Sequence, residues 1–537
     1  MSEAISSRIG LEIKADVLVI GGGPAGAWAA ISAANSGASV VLADKGFCGS
    51  SGATAPSGTG VWYIQPDTQL RTEAKLSRYE LGGRLAENAW MDRVLNKAFE
   101  RMNSLAVWGY PYPESDDGTV HVRGLQGPEY MRLMRKLALK AGVKILDHSP
   151  ALELLADEHG VGGARGIRTQ TNEPWSVRSG AVVIATGGCA FLSKALGCNV
   201  LTGDGYLLAA EAGSSFSGME FSNAYAIAPT FSSVTKTAYY RYASFYYEDG
   251  TVVEGAGSQR GRSIIAKNLL QGKQVYARLD QAPEDIKPAL RVGQTNFFLP
   301  FDRLGIDPFT DMFPVTLRLE GTVRGTGGIR IANESCATDV PGLYAAGDAA
   351  TRELICGGFT GGGSHNAAWA MSSGSFAGQG AAEYALQLGA AAHTRSVAGL
   401  SSTTLTNQST DSSAAAAKLS ERIEAIQAET HPYDKNLFRT EQGLTSSLER
   451  LDHLWKEIRS EPITLNTSAY KAREVAAMTA TARLMYRSAK ERTETRGMHK
   501  RADFPALDPN QRYRLISSGL DEIKVRTEQV SEEAVSV

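Results

Sequence analysis

The chain has 537 residues, which is too long for one hydrophobic core, so we expect two or three domains. A formal net charge of −2 gives no electrostatic reason to expect binding to nucleic acid or to an anionic membrane. The five cysteines form no C-x-x-C pair, which argues against a metal or iron–sulfur site within the chain and against a secreted disulfide framework.

The segment that follows residue 16 predicts a strand, a glycine turn, a helix and a second strand. Val17 to Ile20 form a continuous apolar run, as in a parallel strand buried on both faces. The G-x-G-x-x-G pattern that follows suits a tight turn, a pyrophosphate close to the backbone and a helix close to the sheet. An acidic residue ends the second strand, where a ribose hydroxyl would be held. The pattern predicts a dinucleotide site, for NAD or FAD, at Gly21, Gly23, Pro24, Ala25, Gly26, Asp44 and Lys45.

Small residues fill Gly49 to Gly60 almost completely. Such a run is either a flexible linker or a loop that passes close to a large ligand. Its place directly after the second strand favours the loop, since small side chains let backbone N–H groups approach phosphates and a ring system. The cofactor contacts predicted in this loop are Ser51, Gly52, Ala53, Ser57 and Gly58.

Further strand ends and helix starts are predicted to lie beside the same cofactor. Helical patterns fill much of residues 65–140, and a hairpin with a return strand then ends in the turn I-A-T-G-G. A strand that begins after Pro341 ends in a small-residue turn with an acidic residue, and a glycine-rich turn opens the next helix. The predicted contacts here are Thr186, Gly187, Asp204, Gly347, Asp348, Gly363 and Ser364.

Composition changes divide the chain into an α/β protein with an inserted domain. We predict a two-part Rossmann-like dinucleotide-binding domain, residues 1–224 and 330–388, with an inserted α+β capping domain at 225–329. A linker rich in Ala, Ser and Thr, 389–414, then leads to a helical C-terminal domain, 415–537. The capping segment contains a tyrosine cluster that forms either a packed strand or an aromatic wall for a substrate: Tyr239, Tyr240, Tyr242, Tyr246 and Tyr247.

These motifs resemble the flavoprotein family of fumarate reductase, succinate dehydrogenase and L-aspartate oxidase. The resemblance rests on GGGPAG, VLADK, IATGG, TGDG, PGLYAAGDAA and RTETRGMHKRADFPALD, and it covers nearly the whole chain. It implies FAD as the cofactor, a cap inserted between two pieces of the FAD domain, and oxidoreductase activity. The last motif is the most specific, with Glu494, Arg496, Gly497, His499, Asp503 and Pro505 at matching positions. We expect Arg496 and His499 to tie the C-terminal domain to the FAD domain rather than to do chemistry.

The resemblance also makes two residue-level predictions. Family members that bind FAD covalently have a histidine where this chain has Gly52, so we predict non-covalent FAD. The family's proton-shuttling arginine begins a segment similar to R-S-I-I-A-K, which makes Arg262 the catalytic candidate, although a surface or ion-pair role is the alternative. Ser263 replaces the aspartate that follows this arginine in the family, which weakens the expected proton relay.

The substrate-binding positions of the family differ in this chain. One family histidine falls at Tyr225 and a second near Val323 or Arg324, while the arginine that grips the substrate carboxylate falls within Gly361 to Gly363 and is missing. Since glycine cannot replace a bidentate arginine, this argues against succinate, fumarate and aspartate and predicts a larger or less anionic substrate. Tyr225 and His365 are the further catalytic candidates, with core packing as the alternative for Tyr225 and helix capping or core packing as the alternative for His365.

Taken together, the patterns predict an FAD-dependent dehydrogenase or oxidase that moves a hydride between a small organic substrate and the flavin. The alternatives are the flavin subunit of an electron-transfer complex with an iron–sulfur partner, and a flavin-binding protein whose catalytic residues have decayed. The electron acceptor stays open among dioxygen, a quinone and a carrier protein, as does homo-oligomerisation. No apolar run reaches the ~18 residues of a membrane span and no signal-peptide core precedes the first strand, so we expect a cytoplasmic protein.

Overall fold

The computed structural model describes residues 10–530 apart from 115, 116, 119, 121, 123, 236, 259, 260, 361, 362, 404, 407–411 and 465–468. Gly361 and Gly362, two of the glycines at which the clamping arginine is missing, therefore lie outside the described residues. The strands are β1 (Leu11–Ile20), β2 (Val40–Ala43), β3 (Gly58–Gly60), β4 (Gly124–Gln126), β5 (Lys144–Leu146), β6 (Ala151–Asp157), β7 (Gly160–Arg168), β8 (Glu173–Ile184), β9 (Phe216–Ser217), β10 (Ala224–Pro229), β11 (Ser244–Tyr246), β12 (Val275–Arg278), β13 (Phe313–Gly321), β14 (Gly328–Ile329), β15 (Leu343–Ala345), β16 (Ala398–Gly399), β17 (Leu405–Thr406), β18 (Ile463–Thr464), β19 (Tyr513–Ser518) and β20 (Lys524–Gln529).

The α-helices connect and cover these strands. They are α1 (Pro24–Asn35), α2 (Thr68–Leu81), α3 (Asn88–Val107), α4 (Gly127–Lys140), α5 (Asp204–Glu211), α6 (Arg262–Leu270), α7 (Lys287–Gly293), α8 (Thr295–Leu304), α9 (Glu353–Cys356), α10 (Gly363–Leu388), α11 (Ala391–Thr394), α12 (Ser412–Thr430), α13 (Tyr433–Asn436), α14 (Glu441–Ser460) and α15 (Ala469–Glu491). Short 3-10 helices span Met219–Phe221, Tyr239–Tyr242, Glu284–Ile286, Gly347–Ala349 and Pro509–Gln511.

The main sheet has the strand order β16-β6-β7-β8-β1-β2-β5, and β15 pairs with the end of β8 beyond β7. The strands β8, β1, β2 and β5 run parallel, with Leu18 opposite Val41 on one side and Val182 on the other. Their apolar side chains are buried because helices cover them, as the continuous apolar runs predict. The carboxyl ends of β1, β2, β8 and β15 therefore meet at one edge of the sheet, where open α/β sheets bind ligands.

Helix α1 begins at this edge of the sheet, and small residues let α10 pack directly against it. A Cβ on Gly374 would lie 2.3 Å from the carbonyl oxygen of Ala25, and one on Gly378 would lie 2.1 Å from that of Ala29. Only glycine permits this separation of the two backbones. The start of α1 and the first turns of α10 are thus held next to each other.

The capping domain has its own antiparallel sheet, of order β10-β13-β12-β11. Its tyrosine cluster packs inside the cap, where the Tyr239 ring lies 5.6 Å from Phe297 and the Tyr240 ring 6.0 Å from it. The hydroxyl of Tyr247 donates to Asn268 Oδ1 at 3.1 Å. These tyrosines thus pack within the cap, but Tyr239–Tyr242 form a 3-10 helix and Tyr246 lies in β11, so the cluster is not the single packed strand of the first interpretation.

The C-terminal part differs from the expected linker and helical domain. The segment predicted as a linker contains α11 and β16, and β16 pairs with β6 at the edge of the main sheet. After α12, α14 and α15, the chain ends its described part in the hairpin β19–β20, and β19 pairs with β9. The linker prediction missed these contacts because Ala-, Ser- and Thr-rich composition does not reveal a short strand at a sheet edge.

Candidate active site

A cavity of about 590 Å³ lies between the carboxyl edge of the main sheet and the capping domain. We call the lining residues from the main sheet and its helices the FAD face, and those from the cap and the turn after β13 the cap face. The cap face consists of Thr237, Ala238, Arg241, Ser258, Arg262, Val323 and Arg324. On the FAD face, the cavity is lined by every cofactor contact predicted from the sequence except Gly26.

Gly26 lies behind the cavity wall, where it has the packing role that its place in the glycine pattern predicts. A Cβ there would lie 1.8 Å from the carbonyl oxygen of Gly21, so glycine is needed for α1 to approach the turn. Gly23 caps α1 in an extended conformation without a side-chain cap, and a Cβ there would meet no protein atom within 4 Å. The first N–H groups of α1 thus face open space in the cavity, which fits the pyrophosphate of a dinucleotide.

Asp44 ends β2 in a position that suits a ribose. Its carboxylate is almost fully buried and accepts hydrogen bonds from Gly46 N at 2.7 Å and Ser51 Oγ at 2.9 Å. These bonds fix the carboxylate at the cavity wall and join it to the small-residue loop. That loop lines the cavity rather than leading away from it, as expected of a ligand-contacting segment.

Lys45 lies beside the same wall but its ammonium group is already engaged by protein. Nζ donates to Asp204 Oδ2 at 2.6 Å, to Glu474 Oε1 at 2.9 Å and to Thr202 Oγ1 at 2.8 Å. Burial alone would lower the Lys45 pKa, but the charges of the two carboxylates outweigh burial and raise it. Since Glu474 belongs to α15, this ion pair joins the FAD face to the C-terminal domain.

The turn at Gly347 and Asp348 is held rigidly against α10. Trp369 Nε1 donates to the Gly347 carbonyl at 3.0 Å, and Gly347 N donates to Ser373 Oγ at 2.9 Å. Arg352, which is fully buried, pairs with the Asp348 carboxylate and donates to the Thr322 carbonyl at 2.9 Å. The same arginine thus fixes the FAD face and the turn that carries the Val323 and Arg324 side chains.

Gly52 lies in the cavity wall with a φ of +87°, and a Cβ there would meet no protein atom within 4 Å. The position therefore faces the cavity, and it offers no side-chain atom that could bond covalently to a flavin. This geometry supports the prediction of non-covalent FAD.

Arg262 is the first residue of α6 and lines the cap face. Its guanidinium donates to the carbonyl oxygens of Ser258 at 2.5 Å and Tyr225 at 2.9 Å. Burial, together with the positive charge of Arg324, lowers the pKa of the guanidinium to about 10. A lowered pKa is the condition under which an arginine exchanges a proton with a substrate.

The catalytic role predicted for Tyr225 does not fit the structure and needs correction. The side chain is buried outside the cavity wall, and its hydroxyl donates to the backbone carbonyls of Thr430 and His431 in the C-terminal domain. Burial raises the pKa of this phenol well above its ordinary value. Tyr225 contributes to the site through its main-chain carbonyl, which orients Arg262.

His365 also needs correction as a catalytic candidate. The neighbouring Ser364 and Asn366 line the cavity, but the His365 ring is buried and packs 4.9 Å from the ring of Trp62. Burial, with the nearby charge of Arg78, lowers the pKa of the imidazole to about 3. The ring is therefore neutral at working pH and faces the protein interior.

Two arginines and an asparagine of the cavity lining were not among the predicted site residues: Arg241, Arg324 and Asn366. Arg324 pairs with the fully buried Glu320 at 3.4 Å, and Asn366 Nδ2 donates to the Val323 carbonyl at 2.8 Å. Arg324 was named only as a position that replaces a family histidine. Arg241 lies within the tyrosine cluster, where no local pattern marks it as a site residue.

The motif near the C-terminus joins domains, as expected. His499 is fully buried, and its Nδ1 lies 2.8 Å from a guanidinium nitrogen of Arg439, while Arg496 binds Glu494 at 2.5 Å and the Gly83 carbonyl. Burial and the surrounding arginines hold the pKa of His499 well below its ordinary range. The network crosses from the C-terminal domain to the loop after α2 and does not line the cavity.

A glycine-rich dinucleotide edge, a cap and a half-buried arginine with a lowered pKa are together typical of an FAD-dependent oxidoreductase. The sequence matches the FAD binding domain over residues 16–231 and the C-terminal domain of fumarate reductase flavoproteins over residues 429–536. It is 26% identical to the fumarate reductase flavoprotein subunit of Mycobacterium tuberculosis over 562 residues, covering 92% of each chain.

Solved structures share the fold over nearly the whole chain. A quinol fumarate reductase chain of E. coli superposes with a TM-score of 0.80 at 21% identity, covering 98% of this chain and 99% of that one. The adenylylsulfate reductase of Archaeoglobus fulgidus gives a TM-score of 0.75 at 17% identity, covering 98% of both chains. The protein thus combines an FAD binding domain with the C-terminal domain of fumarate reductase flavoproteins, and it is an oxidoreductase that uses FAD.

Proposed function

We propose that the protein transfers a hydride between a small organic substrate, other than a C4 dicarboxylate, and FAD, with Arg262 as the group that handles the proton. FAD, when bound, supplies the hydride acceptor or donor. The observation that carries the proposal is a half-buried arginine in the cavity wall, whose guanidinium has a pKa of about 10 and is oriented by two backbone carbonyls.

The chain's own residues would hold FAD along the FAD face. The start of α1 would bind the pyrophosphate and Asp44 the ribose. The turn at Gly347 and Asp348 and the small-residue loop, which line the same cavity, would contact the rest of the cofactor. The cap covers the other side and excludes water from the reacting atoms. In the oxidative direction Arg262 accepts the substrate proton, and in the reductive direction it returns it.

The exclusion of C4 dicarboxylates is supported by the sequence at the start of α10. Gly363 lines the cavity where the family's clamping arginine is expected, and it has no side chain that could bind a second carboxylate. The product of hydride and proton removal from adjacent atoms would be a C=C or C=N compound.

Anaerobic bleaching of the flavin by a panel of amines, amino acids, ketones and aromatic acids, followed by re-admission of oxygen, tests this function. We expect one substrate class to bleach the flavin and succinate to leave it oxidised. Rapid reoxidation by oxygen indicates an oxidase, and slow reoxidation indicates a dehydrogenase with another acceptor. A flavin that every compound leaves oxidised would contradict the proposal and favour a flavin-binding protein without activity.

A second candidate is the flavin subunit of an electron-transfer complex with an iron–sulfur partner. It is supported by the relatives, since the Mycobacterium tuberculosis protein is named as a subunit of a fumarate reductase. Purification of the native protein decides between the two: co-purification of a stoichiometric iron–sulfur protein supports the complex, and a flavoprotein recovered alone with full turnover supports the single enzyme.

A further inference from the structure

The ionisable side chains of the cap face are all cationic among the described lining residues: Arg241, Arg262 and Arg324. They come from three separate elements, the 3-10 helix Tyr239–Tyr242, the start of α6, and the turn after β13. The acidic lining residues lie on the FAD face, where Asp44 accepts backbone N–H groups, Asp204 pairs with Lys45, and Asp348 pairs with Arg352. These acids are therefore already engaged by neighbours on their own face.

The charge near the cap face is only partly balanced by protein. Glu320 is fully buried behind it and pairs with Arg324 at 3.4 Å, while its Oε1 accepts a hydrogen bond from Thr235 at 2.7 Å. Within the described part of the cap, Glu320 is thus the carboxylate placed behind the three guanidinium groups. Placing several positive charges around one cavity raises the electrostatic free energy of the protein unless an anion binds between them.

Arg241 is placed to meet a ligand that enters from solvent. It lines the cavity and is exposed, so it lies where the cavity opens. Its guanidinium lies 4.7 Å from the centre of the Tyr242 ring and donates to the Tyr242 hydroxyl at 2.8 Å. Both contacts are to a neutral side chain, and among the described residues no carboxylate forms an ion pair with Arg241, in contrast to Arg324.

We propose that Arg241 and Arg324 form an anion clamp that binds one carboxylate of the substrate and sets it beside Arg262. The clamp takes the place of the arginine that is missing from the glycine turn before α10, but it approaches from the cap instead. The predicted substrate class is an organic acid with a single carboxylate, and its apolar part extends toward the glycines of the FAD face. This inference rests on the proposed function, because it assigns the substrate of the same site.

Titration of the oxidised holoenzyme with acetate, benzoate and succinate, and with the neutral amides acetamide and benzamide, tests the clamp without turnover. Perturbation of the flavin absorbance reports binding. We expect at least one monocarboxylate to bind about 10-fold or more tightly than its amide, because a charge-assisted arginine contact is lost with the amide. Equal affinity of each monocarboxylate and its amide, or no binding of either acetate or benzoate, would overturn the proposal.

Variants assign the effect to the two arginines. Arg241→Gln and Arg324→Gln should each weaken carboxylate binding by about 10-fold or more and leave amide binding unchanged. Arg303→Gln, at an exposed arginine elsewhere in the cap, is the matched control and should change neither. Because Arg324→Gln leaves the buried Glu320 without this partner, the double variant Arg324→Gln/Glu320→Gln repeats the test in a balanced background. Unchanged carboxylate affinity in Arg241→Gln and in the double variant would refute the clamp.

The outcomes separate this inference from the proposed function. Carboxylates that bind through the two arginines while no compound bleaches the flavin would support the clamp and contradict hydride transfer. Bleaching by a neutral compound, with no difference between acids and amides in the titration, would support hydride transfer and contradict the clamp.

Discussion

The two faces of the cavity differ in how their residues are arranged along the chain. On the FAD face, lining residues come in short runs that directly follow strands, as in the turn after β1 and the turn after β15. On the cap face, Arg241, Arg262 and Arg324 are separated by 20 or more residues and meet only because the cap folds over the sheet. Local motifs in the sequence therefore reveal the FAD face, whereas the cap face depends on residues from distant elements.

Removal of the Lys45 ammonium should give the largest effect and tests whether the FAD face depends on the C-terminal domain. Lys45→Met leaves the carboxylates of Asp204 and Glu474 without their shared cation. Their side chains are 22% and 5% exposed, so we expect a loss of about 3 kcal/mol in the free energy of unfolding, at the low end for a broken buried pair. Urea unfolding followed by circular dichroism measures it.

Lys471→Met is the matched control for this prediction. Lys471 binds the same Glu474 at 3.0 Å, but its side chain is 46% exposed, so the loss should stay below about 1 kcal/mol. The raised pKa of Lys45 means that its contribution is present throughout neutral pH and is lost only as the pH rises through that pKa. Equal losses of unfolding free energy in the two variants would show that the buried ion pair stabilises the contact between the domains no more than the exposed one does.

The smallest expected effect concerns how FAD is attached to the FAD face, since we expect no covalent bond and therefore no change in the mass of the polypeptide. Because Gly52 has no side chain to form a bond, acid denaturation should release all flavin into the supernatant. Mass spectrometry of the denatured polypeptide should then give the mass of the sequence alone. An added flavin mass would show that another residue makes a covalent bond.

The residues that line the FAD face could be predicted from sequence because most of them follow a strand, start a helix or belong to the small-residue loop. The errors at Tyr225 and His365 have a different cause, the direction of a side chain. On β10 the Tyr225 carbonyl faces Arg262 while its phenol faces the C-terminal domain. On α10 one residue is a rotation of about 100°, which turns His365 toward Trp62 while Ser364 and Asn366 line the cavity.

The cap face could be predicted only at Arg262, where the resemblance supplied a motif. Arg241 lies among tyrosines that pack inside the cap, and Arg324 lies in a turn whose place depends on Arg352 and Asn366. No spacing within the sequence connects these positions. Their convergence follows from the pairing of β10 with β13 and from the packing of the cap on the main sheet.

The pH dependence of flavin reduction tests the role of Arg262 most directly, with the substrate identified by bleaching. Only a neutral guanidinium accepts a proton, so with a pKa of about 10 the wild-type rate should rise about tenfold per pH unit from pH 7 to 9. Arg262→Gln should lower the rate by about 100-fold or more at pH 9 and abolish the slope. His365→Gln is the control and should retain the slope, because a histidine with a pKa of about 3 does not titrate in this range. A slope that persists in Arg262→Gln, or a loss of rate below about 10-fold, would contradict the account.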